Sequence, residues 1–367
     1  MKKRHSVGFL LSVLGGLFGV LLMALATAST YSEWKNVRAT QEAAEVNAAA
    51  DALLVAIERL TLERGLTNTA LNNETAVAAA AGDAIKSRRR DMQKAMATGW
   101  PVLSQLGYLA EGDLIKKAAA AVAAIDDLRQ KADQMIARPK AERDGAVQKE
   151  WYPTLTRGIQ ALSQVWEAAT QRLAMLDPTI ASLNDIKGLT AAMREYTGRE
   201  RALLGAGKAI AIEKRIEVAD WRGRAALAWD QVTTIFPKSA TPPAIADALK
   251  VVRERFFGAY APVRDKVYQN LIAGSPAGVS PKEWADISNP GLNAIVGVRD
   301  AAISAGAAHL SQRASTAQRS LAINLGLMAA ALILTIAVYL ISRNRVSLPL
   351  TRIAETLRQL TDGKLDL

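Results

Sequence analysis

The chain has 367 residues, of which 46 are Lys or Arg and 35 Asp or Glu, giving a formal net charge of +11. Half of the residues are apolar but only 5% are aromatic, and long alanine-rich stretches with Leu, Glu, Arg and Lys favour helix over strand. Cysteine is absent and His5 and His309 are the two histidines, which excludes disulfides, thiol nucleophiles and cysteine-ligated zinc and argues against a histidine triad. No cofactor, metal or catalytic site is therefore expected.

Residues 1–6 carry Lys2, Lys3 and Arg4 and are followed by the uncharged apolar run Val7–Thr27. A second uncharged run, Leu321–Ser342, is followed by Arg343 and Arg345. Each run has the roughly 20 residues that a helix needs to cross a bilayer core. The expected transmembrane helices cover 7–28 and 321–342. A cleaved signal peptide is the competing reading of the first, through Ala24-Leu25-Ala26, but its apolar run is longer than such peptides use. The flanking positive charges put both ends in the cytoplasm. Residues 29–320 then form one large insert outside the inner membrane of a bacterium. The insert is mildly basic, which suits a small anion, and its charge is spread out rather than gathered into a nucleic-acid footprint.

Within the insert the breakers predict helix after helix. The first is expected to run from the membrane to Leu71, before Asn72-Asn73. The second covers about Thr75–Ala97 and stops at Gly99-Trp100-Pro101. The third spans Leu103–Ile136 and the fourth Ala141–Leu176, closed by Asp177-Pro178. Helix resumes near Thr179 and reaches Phe236, then Ala244–Ile272 follows a proline-rich loop. Gly274–Gly278 reads as a turn, since it lacks the Lys and Ser/Thr of a phosphate loop. Ser280-Pro281-Lys282-Glu283 reads as a capping box. After Asn289-Pro290 the last helix is expected to run into the second span. The fold class is all-α, an antiparallel helical bundle, single or double four-helix, between the two spans.

Beyond the second span, Leu350, Ile353, Leu357 and Leu360 are spaced 3, 4 and 3, an a/d seam that calls for a partner helix. With Pro349 ahead of it and Gly-Lys-Leu-Asp-Leu after it, the segment 343–367 resembles the first half of a HAMP linker. Such linkers are parallel four-helix coiled coils of dimeric receptors, which implies a homodimer and an output domain beyond Leu367 that engages cytoplasmic signalling proteins. An ordinary amphipathic juxtamembrane helix is the plainer alternative.

Two further segments carry a resemblance. Ala56–Leu71, with Glu63-Arg64-Gly65, and Arg194–Leu204, with Glu200-Arg201-Ala202, resemble the two motifs of the nitrate- and nitrite-sensing (NIT) domain, in the family's order. Ser280–Trp284 resembles its closing segment, although Ser288–Leu292 departs from the family with a turn signal. The resemblance implies a nitrate or nitrite receptor with Arg64 and Arg201 holding the anion and Arg199 as the substitute for Arg201. The residues themselves are read as follows. Leu53, Ile57, Leu60, Arg64, Thr67 and Leu71 recur at intervals of 4, 3, 4, 3 and 4, so Arg64 occupies a core slot and must be paired there. A planar guanidinium matches nitrate or a carboxylate. Leu189, Met193, Tyr196 and Leu203 mark the second stripe, with Glu200 near its middle, Arg199 at its edge and Arg201 further round. An Arg64–Glu200 salt bridge without a ligand is the competing reading.

The remaining features read plainly: Arg88-Arg89-Arg90 as a solvated face, the seven tryptophans as core filling and His309 as lacking a metal-site pattern. The resulting expectation is a two-pass inner-membrane receptor. A receptor for a small carboxylate or for a periplasmic binding protein, and a structural coupling stalk, are the alternatives.

Overall fold

The computed structural model describes the backbone of residues 7–110, 113–237 and 240–361, and the side chains of 13–109, 113–237 and 240–358. Among these residues the regular structure is helical throughout, and no strand forms. Two compact units are present: residues 43–310, and the two ends of the chain, up to 42 and from 311. Of the expected cytoplasmic segments, residues 1–6 and the Gly363–Leu367 ending lie outside the described residues.

The first helix, α1 (Val7–Asn72), ends where expected, and its end is held by a side chain from elsewhere in the chain. The Arg143 guanidinium donates to the carbonyls of Ala70 and Leu71 at 2.9 Å, Asn73 at 2.7 Å and Thr75 at 2.8 Å, satisfying acceptors that a helix end leaves unpaired. The next helix, α2 (Ala79–Leu103), runs through Gly99-Trp100-Pro101 instead of stopping there. Leu103 is fully buried, and a Cβ at Gly99 would stand 2.5 Å from the Ala49 carbonyl oxygen. The close approach to α1 and the buried leucine keep the last turn helical although Pro101 removes one donor.

The expected third helix is instead two. A short α3 (Gly107–Ala110) precedes α4 (Leu114–Ile136), whose start follows Asp113 in the left-handed region at φ 56°. Helix α5 (Gly145–Ala174) is capped by Asp144, which accepts from Ala146 N at 2.8 Å. It buries Val147, Trp151, Leu155, Ile159, Leu162 and Trp166, one face at three- and four-residue spacing. Gly158 lets α4 close on it: a Cβ there would meet Ile125 Cδ1 at 2.3 Å.

The stretch from Thr179 to Phe236 divides into α6 (Pro178–Gly205) and α7 (Ile212–Thr234), which pack on each other. Asp177 caps α6 by accepting from Thr179 N and Ile180 N, with Pro178 at the first helical position. The break between α6 and α7 contains Gly207 at φ +64° and a backbone bond from Ile210 N to Leu271 O, 3.2 Å. Helix α8 (Pro243–Val252) continues through a π-helical segment, Arg253–Tyr260, into α9 (Ala261–Ile272). Helix α10 (Pro281–Ile341) opens with the expected capping box: Ser280 N donates to Glu283 Oε2 at 2.8 Å and Glu283 N to Ser280 Oγ at 3.2 Å. Pro290 lies inside α10, so the expected turn at 288–292 does not form. Ser288 and Leu292 are buried on either side of it, and that packing outweighs the bond Pro290 cannot make.

In the unit formed by the chain ends, the apolar windows of α1 and α10 are almost wholly exposed, unlike core helices of a soluble protein. The two touch at small residues, a Cβ at Gly19 lying 2.4 Å from Thr335 Cγ2. A second π-helical segment, Ser342–Ser347, leads into α11 (Leu348–Thr361). Both π segments end two residues before a proline, Pro262 and Pro349, whose missing N–H and ring disfavour a regular turn before it. On α11 Leu350, Ile353 and Leu357 are exposed; the side chain of Leu360 lies outside the described residues.

Candidate functional site

The α1 stripe is inward as its spacing requires: Leu53, Ile57, Leu60, Arg64, Thr67 and Leu71 are all buried. Arg64, 3% exposed, is fixed from three sides. Its Nη1 donates to Thr156 Oγ1 of α5 at 3.0 Å, and its Nη2 to both oxygens of Glu195 of α6, at 2.7 and 2.9 Å. The guanidinium carbon lies 4.4 Å from the centre of the Tyr152 ring, a cation–π contact. Trp151 Nε1 donates to the Arg64 carbonyl at 3.0 Å, so α5 holds both the backbone and the side chain of Arg64.

The partner of Arg64 is therefore Glu195, not Glu200. Five residues separate the two on α6, and at 100° per residue they point to different neighbours. Glu200, 2% exposed, accepts from Arg222 of α7 at 2.6 Å and faces Arg264 of α9 at 3.7 Å. Burial raises the Glu200 carboxyl pKa, against the pull of Arg264 and Arg222. Burial also pushes Glu195 up, but Arg64 and Arg199 outweigh it and leave that carboxyl below its ordinary value. Arg199 belongs to the same cluster, its Nε donating to Glu195 Oε1 at 2.7 Å.

Arg201 sits elsewhere on α6. Its Nε donates to Ser288 Oγ of α10 at 2.7 Å, and its carbonyl accepts from Trp284 Nε1 at 3.2 Å. No carboxylate among the described residues lies within ion-pair distance of it, and burial lowers its pKa. The structure thus brings Arg64 and Arg199 together around Glu195, and sets Arg201 apart against α10.

Sequence reasoning missed Arg194. Its Nε is buried and makes no hydrogen bond among the described residues, and its guanidinium forms no ion pair there. Burial, followed by the charge of Arg201, lowers its pKa to about 10. Its i, i+7 relation to Arg201, two turns along one helix face, was the available signal. The Tyr260 hydroxyl, likewise buried without a hydrogen bond among the described residues, has its pKa raised by burial and by Glu200. Gly291 makes room for that ring: a Cβ there would lie 3.0 Å from Tyr260 Cβ.

Other buried charges are paired. Glu63, beside Arg64 in the first motif, is fully buried, accepting from Arg89 Nε at 2.7 Å and from Arg129. Arg89 also reaches Asp133 at 2.6 Å, so the middle of the Arg88–Arg90 run is turned inward and is not part of a solvated face. Lys187 is fully buried on Asp51 at 2.6 Å, and Arg299 pairs with Glu58 at 2.6 Å. His309 Nε2 lies 2.8 Å from Asp177 Oδ2. Trp151, Trp166 and Trp284 are buried in the core.

A family model described as nitrate and nitrite sensing matches residues 55–305. No curated protein sequence shows a significant match to the chain. Among solved structures, the NasR transcription antiterminator superposes with a TM-score of 0.59, covering 94% of this chain and 87% of that one at 17% identity. At that identity the likeness is one of fold.

Proposed function

The chain belongs to the nitrate- and nitrite-sensing family, and from that premise we propose that its helical domain binds one of these anions among the arginines of α1 and α6. The observation that carries the reading is the balance of charge around α6. Arg64 and Arg199 share Glu195, Arg222 and Arg264 share Glu200, and Arg299 has Glu58, while Arg201 has no carboxylate among the described residues. A planar guanidinium without a counter-ion is suited to a planar oxyanion. Arg201 is the anion-holding residue on this reading. Arg64 and Arg199 reach the ligand only by exchange with the Glu195 carboxylate.

The same reading makes the protein a two-pass receptor of the bacterial inner membrane. The candidate spans in α1 and α10 flank the matched domain, and the cationic flanks support a periplasmic sensor with cytoplasmic ends. The exposed Leu350, Ile353 and Leu357 support a HAMP-type helix that pairs in a homodimer and passes the signal to an output domain.

The test is thermal unfolding of the full chain in lipid nanodiscs, in sodium nitrate or nitrite against sodium chloride at equal ionic strength. A ligand specific for the folded state adds about 2.7 kcal/mol at a hundredfold excess over Kd. Nitrate or nitrite is expected to raise the melting temperature well beyond chloride at millimolar levels. Identical curves in all three salts would sink the reading. Because the interior already accommodates a carboxylate on Arg64, a shift with acetate alone would favour a small carboxylate as ligand.

A further inference from the structure

Resting on the reading that this domain binds nitrate or nitrite, we propose that the anion is seated between Arg194 and Arg201 of α6, with the Tyr260 hydroxyl as a third donor. Arg194 is thereby a ligand-binding residue.

Three observations place the anion here. The first is direction. Arg194 and Arg201 are two helical turns apart on one face, and the Arg194 guanidinium folds forward along α6: its Nη1 lies 2.6 Å from where a Cβ at Gly198 would stand. Only a glycine one turn ahead leaves it that path toward Arg201. The second is pairing. Every other arginine named around α6 has a carboxylate, whereas Arg194 and Arg201 have none within ion-pair distance among the described residues. Arg201 disfavours the charge on Arg194 without an anion between them; Glu58 and Glu195 act in the opposite sense from beyond ion-pair distance and do not offset burial and Arg201 together. The third is donor geometry. Arg194 Nε and Tyr260 Oη are both buried and unbonded among the described residues, and Tyr260 enters from the π-helical segment while Ser288 fixes Arg201 Nε at 2.7 Å from α10. Such a set of donors suits a small oxyanion with several acceptor oxygens and gives a spherical chloride less. Arg64 has a buried, unbonded Nε as well, but its Nη1 and Nη2 are taken by Thr156 and Glu195, so it meets a carboxylate where Arg194 meets none within ion-pair distance among the described residues.

Nitrate titrations of the full chain in nanodiscs, followed by melting temperature, test the seat in Arg194→Gln and Tyr260→Phe. Each variant is expected to raise the apparent Kd for nitrate, Arg194→Gln by at least about tenfold, the scale of one lost hydrogen bond to a charged group. The unliganded proteins give the second readout. Arg194→Gln removes a repelled cation whose Nε is buried and unbonded among the described residues, and Tyr260→Phe a hydroxyl in the same condition, so neither should melt below wild type without nitrate. A merely structural role for either residue would lower that melting temperature instead. Wild-type response with an unchanged Kd in either variant overturns this seat and leaves the sensing function standing. If wild type itself does not respond, the functional reading fails first. Should Arg194→Gln not fold, Tyr260→Phe decides alone.

Discussion

Glu195→Gln isolates the charge that holds Arg64. The substitution keeps the shape and one acceptor oxygen while removing the negative charge that Arg64 and Arg199 share. Arg64 is 4% exposed in its side chain and cannot recover its hydration, whereas Arg199, 26% exposed, partly can. Removing one partner of a buried pair costs about 3–5 kcal/mol, and the surviving Thr156 bond, Tyr152 contact and amide oxygen place the loss near 3 kcal/mol. For a domain of this size that corresponds to a melting temperature lower by about 6 °C. The pH dependence identifies the source. The folded-state pKa of Glu195 lies below its unfolded value, so the carboxylate contributes stability above the unfolded pKa of about 4.3 and loses it as pH falls through the folded value. Wild type and variant should differ fully at pH 7 and converge as pH falls below the unfolded value and through the lowered folded one. Circular dichroism melts across that range decide the matter. Equal stability at pH 7, or a gap that persists unchanged in acid, would refute the assignment of this ion pair as the anchor of Arg64.

Lys187→Met should destabilise by about 3 kcal/mol because it strands the buried Asp51, and adding Asp51→Leu should recover most of the loss, as measured by urea denaturation. Gly158→Ala forces Ile125 aside at the α4–α5 contact and should cost about 1–3 kcal/mol by the same assay; no change would mean that the two helices are free to part. Single cysteines at Leu350 and Ile353, in a chain with no cysteine of its own, should crosslink between copies in membranes more efficiently than one at Arg358, and equal yields would argue against a paired HAMP-type seam.

The α1 stripe was legible because a 4-3 spacing names one helix face, and it put Arg64 inside without help from the fold. The identity of its partner was not legible. Glu195 and Glu200 both lie on α6, and only the rotation of that helix against α1 and α7 decides which carboxylate meets which arginine. Pro101 and Pro290 read as breakers because local chemistry says so, yet buried neighbours hold both within helices. The Arg88–Arg90 run read as surface for its composition, although a helix sends consecutive residues in different directions and turned only Arg89 toward Glu63. Glu63 stood in the first motif throughout. Its burial was hidden because α1 has neighbours on more than one side, a tertiary fact that a single-face pattern does not carry.

Helix α6 is the element on which these charges converge, and that bears on how an anion could be sensed. Glu195 ties it to α1 through Arg64, Arg201 ties it to α10 through Ser288 and Trp284, and Glu200 ties it to α7 and α9 through Arg222 and Arg264. A stalk that only couples one partner to another has no use for two guanidiniums on such an element that have no carboxylate partner among the described residues, since partly burying charge without a counter-ion disfavours folding. A sensor does, because a ligand that relieves the repulsion between Arg194 and Arg201 acts with a differential energy on the helix that holds the others in register. On the proposed reading, anion binding therefore changes how α6 bears on α1 and α10 at the same time, and these are the two helices whose sequences contain the candidate membrane spans.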